Sequence, residues 1–185
     1  STFSDSVFVY PNPTANFEAD SVCFGLATTF RNVSTGIYEH AVWNYGDGTS
    51  LDTNNSAIVN KVYSAPGSYN VTLVLHTKFG CIDSITKTVI VKTKPIANFT
   101  FLDDSVCIGY SAAFLNNSIF SNSFLWSFGN GDTSSVTNPT YTYSIPSSYT
   151  VELIASTSMG CSDTATNPFV VLPSPLASFV SDTVC

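Results

Sequence analysis

Val42-Trp43-Asn44-Tyr45-Gly46-Asp47-Gly48-Thr49-Ser50 is the stretch whose reading decides the fold. Trp43 and Tyr45 alternate with polar Asn44, the period of two expected of a half-buried strand. Gly46, Asp47 and Gly48 break that strand. Glycine takes positive φ without steric cost, and an Asp between two glycines can accept hydrogen bonds from turn amides. The indole predicts a core anchor and the glycine pair a chain reversal. The pattern returns 83 residues later as Leu125-Trp126-Ser127-Phe128-Gly129-Asn130-Gly131-Asp132-Thr133-Ser134. A recurrence of that size is a tandem repeat.

Outward from the tryptophan strand, the two copies match in order. Ala15-Asn16-Phe17 corresponds to Ala97-Asn98-Phe99 and again to Ala177-Ser178-Phe179. Each is followed by a near-copy: Asp20-Ser21-Val22-Cys23, Asp104-Ser105-Val106-Cys107 and Asp182-Thr183-Val184-Cys185. Tyr69, Val71, Leu73 and Leu75 alternate with polar residues, with Val74 the exception; Tyr149, Val151, Leu153 and Ala155 repeat this, with Ile154 as the same exception. Ser4 to Val9 resembles the tails that follow Asp83 and Asp163, so the chain begins on what reads as the last strand of an earlier repeat. The expected division is a preceding tail with its linker over 1–12, repeat one over 13–94, repeat two over 95–174, and the first strand of a third over 175–185. Proline-containing linkers stand at Pro11-Asn12-Pro13, Lys94-Pro95 and Pro173-Ser174-Pro175. No segment carries a helical period. About seven short strands per repeat, with turns at regular spacing, predict an all-β chain of two sandwiches.

Composition narrows the function. Six Lys+Arg against thirteen Asp+Glu give a net charge of −7. The few basic residues are scattered, which argues against nucleic acid as a partner. No run of eighteen apolar residues occurs, so no insertion into a membrane is expected. The chain opens without a signal-peptide pattern and reads as a piece of something longer. Scarce Lys with abundant Ser, Thr and Asn suits a secreted surface.

Five cysteines stand at 23, 81, 107, 161 and 185, with no Cys-x-x-Cys pair and no His at ligand spacing. Cys23 opens repeat one and Cys81 lies near its end; Cys107 and Cys161 hold the same places in repeat two. The expected disulfides are therefore 23–81 and 107–161, in an oxidising compartment, each stabilising by roughly 4 kcal/mol. Cys185 falls where a third repeat puts its first cysteine, so its partner is expected outside this segment. Five free thiols are the alternative.

Trp-x-Tyr/Phe-Gly-Asp/Asn-Gly, then Pro66-Gly67-Ser68-Tyr69-x-Val71 and a closing Gly-Cys strand, resembles the PKD domain, an immunoglobulin-like sandwich. The resemblance covers nearly the whole chain. Its motif core is Trp43, Tyr45, Gly46, Asp47 and Gly48 in copy one, and Trp126, Phe128, Gly129, Asn130 and Gly131 in copy two. Copy two departs by Asn130 in place of aspartate, with Asp132 nearby, and by Ser147 in place of Gly67. The His common before the following Tyr is Lys61 in copy one and Tyr141 in copy two. The cysteine-bearing version resembles repeats in very large surface proteins of gliding outer-membrane bacteria, exported by the type IX system. The resemblance implies a semi-rigid extracellular rod: a segment of a surface stalk, adhesin or filament whose partners are neighbouring copies or adjoining repeats. A carbohydrate- or protein-binding accessory module of a secreted hydrolase, meeting surface glycans, is the alternative. Phe120 and Phe124 are its only candidate aromatics.

Catalysis finds no motif. His40 and His76 lack counterparts in copy two, and neither Gly-x-Ser-x-Gly nor His-Glu-x-x-His occurs. No cofactor is expected. Calcium is the alternative use of the carboxylates, through Asp47 with Asp52 or Asp103 with Asp104, although no Asp-x-Asp-x-Asp-Gly run supports it. Asp followed by Ser or Thr and an apolar or small residue resembles the O-glycosylation sequon of the same bacteria. Its acceptors would be Ser6, Ser21, Ser84, Ser105, Thr164 and Thr183. Copying of residues between repeats explains the same recurrence. Asn32, Asn54, Asn70, Asn98 and Asn116 match the N-linked sequon.

Overall fold

The computed structural model describes residues 10–54 and 56–178, so the tail at Ser4–Val9 and the segment Phe179–Cys185 lie outside the described residues. Ser6, Thr183 and Cys185 go with them. The chain divides into two compact units, residues 1–93 and 94–185. Among the described residues it is all strand and turn.

Unit one holds β1 (Phe17–Ala19), β2 (Val22–Cys23), β3 (Thr28–Asn32), β4 (His40–Asn44), β5 (Ser50–Thr53), β6 (Ile58–Lys61), β7 (Gly67–His76) and β8 (Ile82–Lys92). A three-stranded sheet in the order β1-β3-β6 faces a five-stranded one in the order β2-β8-β7-β4-β5. Unit two repeats this with β9 (Phe99–Phe101), β10 (Ser105–Cys107), β11 (Ser111–Asn116), β12 (Ser123–Ser127), β13 (Thr133–Ser134), β14 (Thr140–Thr142), β15 (Ser147–Ser156) and β16 (Ser162–Leu172). Its sheets run β14-β11-β9 and β10-β16-β15-β12-β13. Among the described residues each unit has eight strands where about seven were expected, because pieces as short as β2 and β13 are too brief to carry a periodic signal.

The tryptophans join the two sheets. Trp43 on β4 is fully buried, and the rings of Phe17 and Phe30 from the opposite sheet pack on it at 5.2 and 5.5 Å. In unit two Phe99 and Phe114 meet buried Trp126 at 5.0 and 5.8 Å. Truncating a core aromatic of this kind costs about 3–5 kcal/mol. On β7 the alternation places Val71, Leu73 and Leu75 wholly inside, and on β15 Val151, Leu153 and Ala155. Val74 and Ile154, the exceptions to the pattern, lie on the outer face opposite Ser84 and Thr164. The buried Tyr63 hydroxyl donates to the Tyr45 carbonyl at 3.1 Å, and Tyr143 does the same to Phe128 at 3.0 Å.

The register corrects the disulfide expectation. β2 runs parallel to β8 with Cys23 opposite Lys92, whereas Cys81 stands just before β8 begins. The eleven residues of β8 separate the two cysteines, more than about 30 Å of strand. A disulfide requires Cα atoms within about 7 Å. Cys107 is likewise opposite Leu172, at the far end of β16 from Cys161. Neither the 23–81 nor the 107–161 pair forms: Cys81 and Cys107 are free, while Cys23 and Cys161 are disulfide-bonded. Equal intervals along the chain had said nothing of which end of a strand each sulfur occupies.

The turn after each tryptophan strand depends on an absent side chain. Gly46 has φ +76°, and a Cβ there would lie 2.6 Å from the Asn70 carbonyl oxygen; at Gly129, φ +82°, it would lie 2.7 Å from that of Thr150. Gly48 and Gly131 also have positive φ but face open space. Gly46→Ala and Gly129→Ala therefore carry the left-handed penalty of about 1–2 kcal/mol plus a backbone collision, and Gly48→Ala and Gly131→Ala the penalty alone. In urea titrations the first pair is expected to lose at least about twice the stability of the second. Equal losses at all four glycines would refute the close-approach account.

Candidate functional site

The side chains singled out by the sequence gather around the turn that follows the tryptophan strand. In unit one Asp47 Oδ1 accepts from the Thr49 amide at 3.0 Å and from the Thr49 hydroxyl at 2.6 Å. Its Oδ2 lies 2.8 Å from Lys61 Nζ on the edge of β6, both side chains being largely buried. That ammonium also donates to Thr49 Oγ1 at 2.8 Å and stands over the rings of Tyr45 and Tyr63. Partial burial acts to raise the Asp47 pKa, but hydrogen bonds from Lys61 and Thr49 outweigh it and hold it at about 2.

Unit two builds the same turn from different groups. Asn130 Oδ1 accepts from the Asp132 amide at 3.2 Å, the role of Asp47. Asp132 takes the place of Thr49, and Tyr141 the place of Lys61. The Tyr141 hydroxyl accepts from Asn130 Nδ2 at 2.7 Å and donates to Asp132. Its ring stacks on Phe128 at 4.2 Å, where Lys61 stood over Tyr45. A charged brace has been exchanged for a largely neutral one.

Both units also tie the start of the first strand to the last. Asp83 accepts from the Ala15 amide at 2.7 Å, and Asp163 from the Ala97 amide at 3.0 Å while pairing with Lys94 at 2.9 Å. The hydrogen bonds from Lys94 and from Ala97 lower the Asp163 pKa. Asn32 and Asn116 accept from the amides of Ser34 and Ser118, at 3.1 and 2.9 Å. Aspartates of the Asp-Ser/Thr triplets and asparagines of two N-linked sequons thus have structural duties of their own. The hydroxyl-bearing residues Ser21, Ser84, Ser105 and Thr164 are exposed.

A family model describing the PKD domain matches residues 10–93 and 92–171. The chain belongs to the PKD domain family. Solved single PKD domains are similar to part of the chain. The PKD1 domain of Vibrio anguillarum Epp is 30% identical over 44% of this chain and 96% of its own, with TM-score 0.39. The PKD1 domain of the Vibrio cholerae metalloprotease PrtV is 34% identical over 43% and 98%, with TM-score 0.38. A three-domain immunoglobulin segment of titin is 14% identical over 87% of this chain and 66% of its own, with TM-score 0.49. No curated protein matches the chain.

The carboxylates and histidines singled out by the sequence stand at several separate places on the PKD units. Among the described residues no three of His, Cys, Asp and Glu stand together as a metal would need. Asp47 is taken by Lys61; Asp52 on β5 has only His40, at 3.6 Å, on an exposed surface. Asp103 and Asp104 are exposed in the turn between β9 and β10. His40 and His76 are partners in register across β4 and β7. The two candidate aromatics of unit two do not form a row. Phe120 is 65% exposed at φ +59°, while Phe124 packs against the core. What the sequence did not reveal is an apolar cleft of about 400 Å³ in unit one. Tyr10, Ile37, Tyr38, Lys78 and Phe79 line it, and the rings of Tyr10 and Phe79 stack at 3.6 Å. Only the pairing of sequence-distant loops brings these residues together.

The Asp47 brace gives unit one an acid-sensitive component. Its folded pKa, at about 2, lies below the ordinary carboxylate value, so the stabilisation is present above pH ~4 and lost as pH falls towards 2. Asp47→Asn keeps an acceptor for the Thr49 amide, as Asn130 does for Asp132, and loses the ion pair. The expected cost at pH 7 is below about 1 kcal/mol. A plot of melting temperature against pH is expected to fall less steeply between pH 4 and 2 in the variant. Parallel curves would show that the brace contributes nothing.

Proposed function

We propose that this chain is a non-catalytic extracellular structural segment, a semi-rigid spacer and assembly module of a bacterial surface stalk, adhesin or filament. One observation carries the reading: two units of one blueprint, each closed around its own core, with the conspicuous polar side chains engaged in bracing turns and strand ends. Cores that are complete within each repeat let length grow by adding copies. PKD domains and disulfides are typical of extracellular proteins, and an oxidising outer surface reached by type IX export is consistent with both. Sugars on Ser21, Ser84, Ser105 and Thr164 would add a hydrated coat, since their side chains stand on exposed positions.

A second reading has its own support. The cleft beside the Tyr10–Phe79 stack offers an apolar ring face of the kind that receives a sugar ring, with Lys78 and Glu39 at its border. Its lining residues all come from unit one, and a binding accessory asks for such a face in one repeat.

Two measurements on the 185-residue chain separate these readings. Negative-stain electron microscopy under oxidising conditions is expected to show regular end-to-end strings. A glycan array is expected to show no retained sugar. Isolated particles together with glycan binding that Phe79→Ala abolishes would overturn the structural reading in favour of the accessory module.

A further inference from the structure

Every cysteine of the described residues lies at an end of its sandwich, and the register denies each of them the cysteine at the opposite end. Cys23 and Cys107 occupy equivalent places, opposite Lys92 and Leu172 at the last residues of β8 and β16. Cys81 and Cys161 occupy the other equivalent place, the turn that opens β8 and β16. One member of each class is bonded and one is free: Cys23 and Cys161 carry disulfides, Cys107 and Cys81 do not.

The free members are held like the bonded ones. Cys81 donates its amide to Thr77 Oγ1 at 3.0 Å, and bonded Cys161 donates to Thr157 Oγ1 at 3.1 Å. Their carbonyls accept from the same threonines, at 3.0 and 2.8 Å. At the other end the residues after Cys23 and Cys107 donate to Lys92 and Leu172, at 2.8 and 2.9 Å. The Leu26 and Tyr110 amides close the turns on Cys23 and Cys107, each at 3.1 Å. Both free thiols are partly exposed. Each thus sits in a backbone frame that, in the sister repeat, presents a sulfur engaged in a disulfide.

We propose that Cys107 and Cys81 are complementary halves of a covalent link between copies, Cys107 of one chain bonding Cys81 of the next. The oxidant is a low-molecular-weight disulfide such as oxidised glutathione. The Cys81 thiolate attacks it, forming a mixed disulfide and expelling one glutathione thiolate. The Cys107 thiolate of the second copy then displaces the other glutathione. Two protein thiols and one glutathione disulfide become one protein disulfide and two glutathione thiols, the protons given up by the two protein thiols ending on the expelled glutathione thiolates. The link deepens the assembly reading above yet rests on strand register and on the bonded sister cysteines, so a glycan-binding result leaves it standing.

The test uses the full 185-residue chain in a glutathione redox buffer. Non-reduced peptide maps of the wild type are expected to contain a Cys81–Cys107 linked peptide, in covalent oligomers that collapse to monomer with reductant. Cys81→Ser and Cys107→Ser alone are each expected to lose that peptide, and their equimolar mixture to regain it in a covalent dimer, where it can arise only between chains. Unchanged melting temperatures of the two variants verify that both fold. Cys81 and Cys107 remaining fully alkylatable, or linking indifferently to themselves and to Cys185, would overturn the proposal, as would a mixture that stays monomeric.

Discussion

Two backbones pass so closely at the end of each tryptophan strand that no side chain fits between them. Gly46 lies against the Asn70 peptide and Gly129 against that of Thr150, at distances that exclude a Cβ. That approach fixes where the tryptophan strand stops beside its long neighbour, and so the depth at which the indole meets the opposite sheet. The tyrosine hydroxyls of Tyr63 and Tyr143 lock the same corner from the other sheet by bonding the carbonyl just before the glycine. Packing, turn and cross-sheet hydrogen bond thus share one locus, and a change at any of them is felt by the others.

The two repeats show how such a corner tolerates exchange. A lone loss of the turn aspartate or of the lysine that meets it would leave a partly buried polar group without its partner. Copy two changes the positions of Asp47, Thr49 and Lys61 together, to Asn130, Asp132 and Tyr141, and every donor again finds an acceptor. The aromatic stack of Tyr141 on Phe128 takes over the contact made by the lysine ammonium on Tyr45. What is retained is a satisfied turn, not a particular residue. This is why Asp47 reads as a brace and not as a base: its pKa is low and its oxygens are already engaged.

The same economy governs the strand ends. Asp83 and Asp163 hold the entering chain through a backbone amide, which explains why an aspartate recurs at that place. The cysteines lie at the ends of the strands as well, and the parallel pairing of β2 with β8 and of β10 with β16 decides which end each one has. Sulfurs placed at opposite ends of one strand cannot be bonded to each other within a sandwich.

By itself the amino-acid sequence determined the repeat, the sandwich class, the core and the turn. Trp43, the alternation on β7 and the glycine pair are local patterns whose period or conformational demand is written in consecutive residues. Even the compensating set in copy two was visible as Asn130, Asp132 and Tyr141, though not its geometry. The tertiary structure alone decided the rest. Strand direction placed Cys23 and Cys81 at opposite ends of β8, and loop packing gathered Tyr10, Ile37 and Phe79 into a cleft. Which residues meet across a sheet, and at which end, depends on register and on pairing direction, and these are set by contacts between segments far apart in the chain.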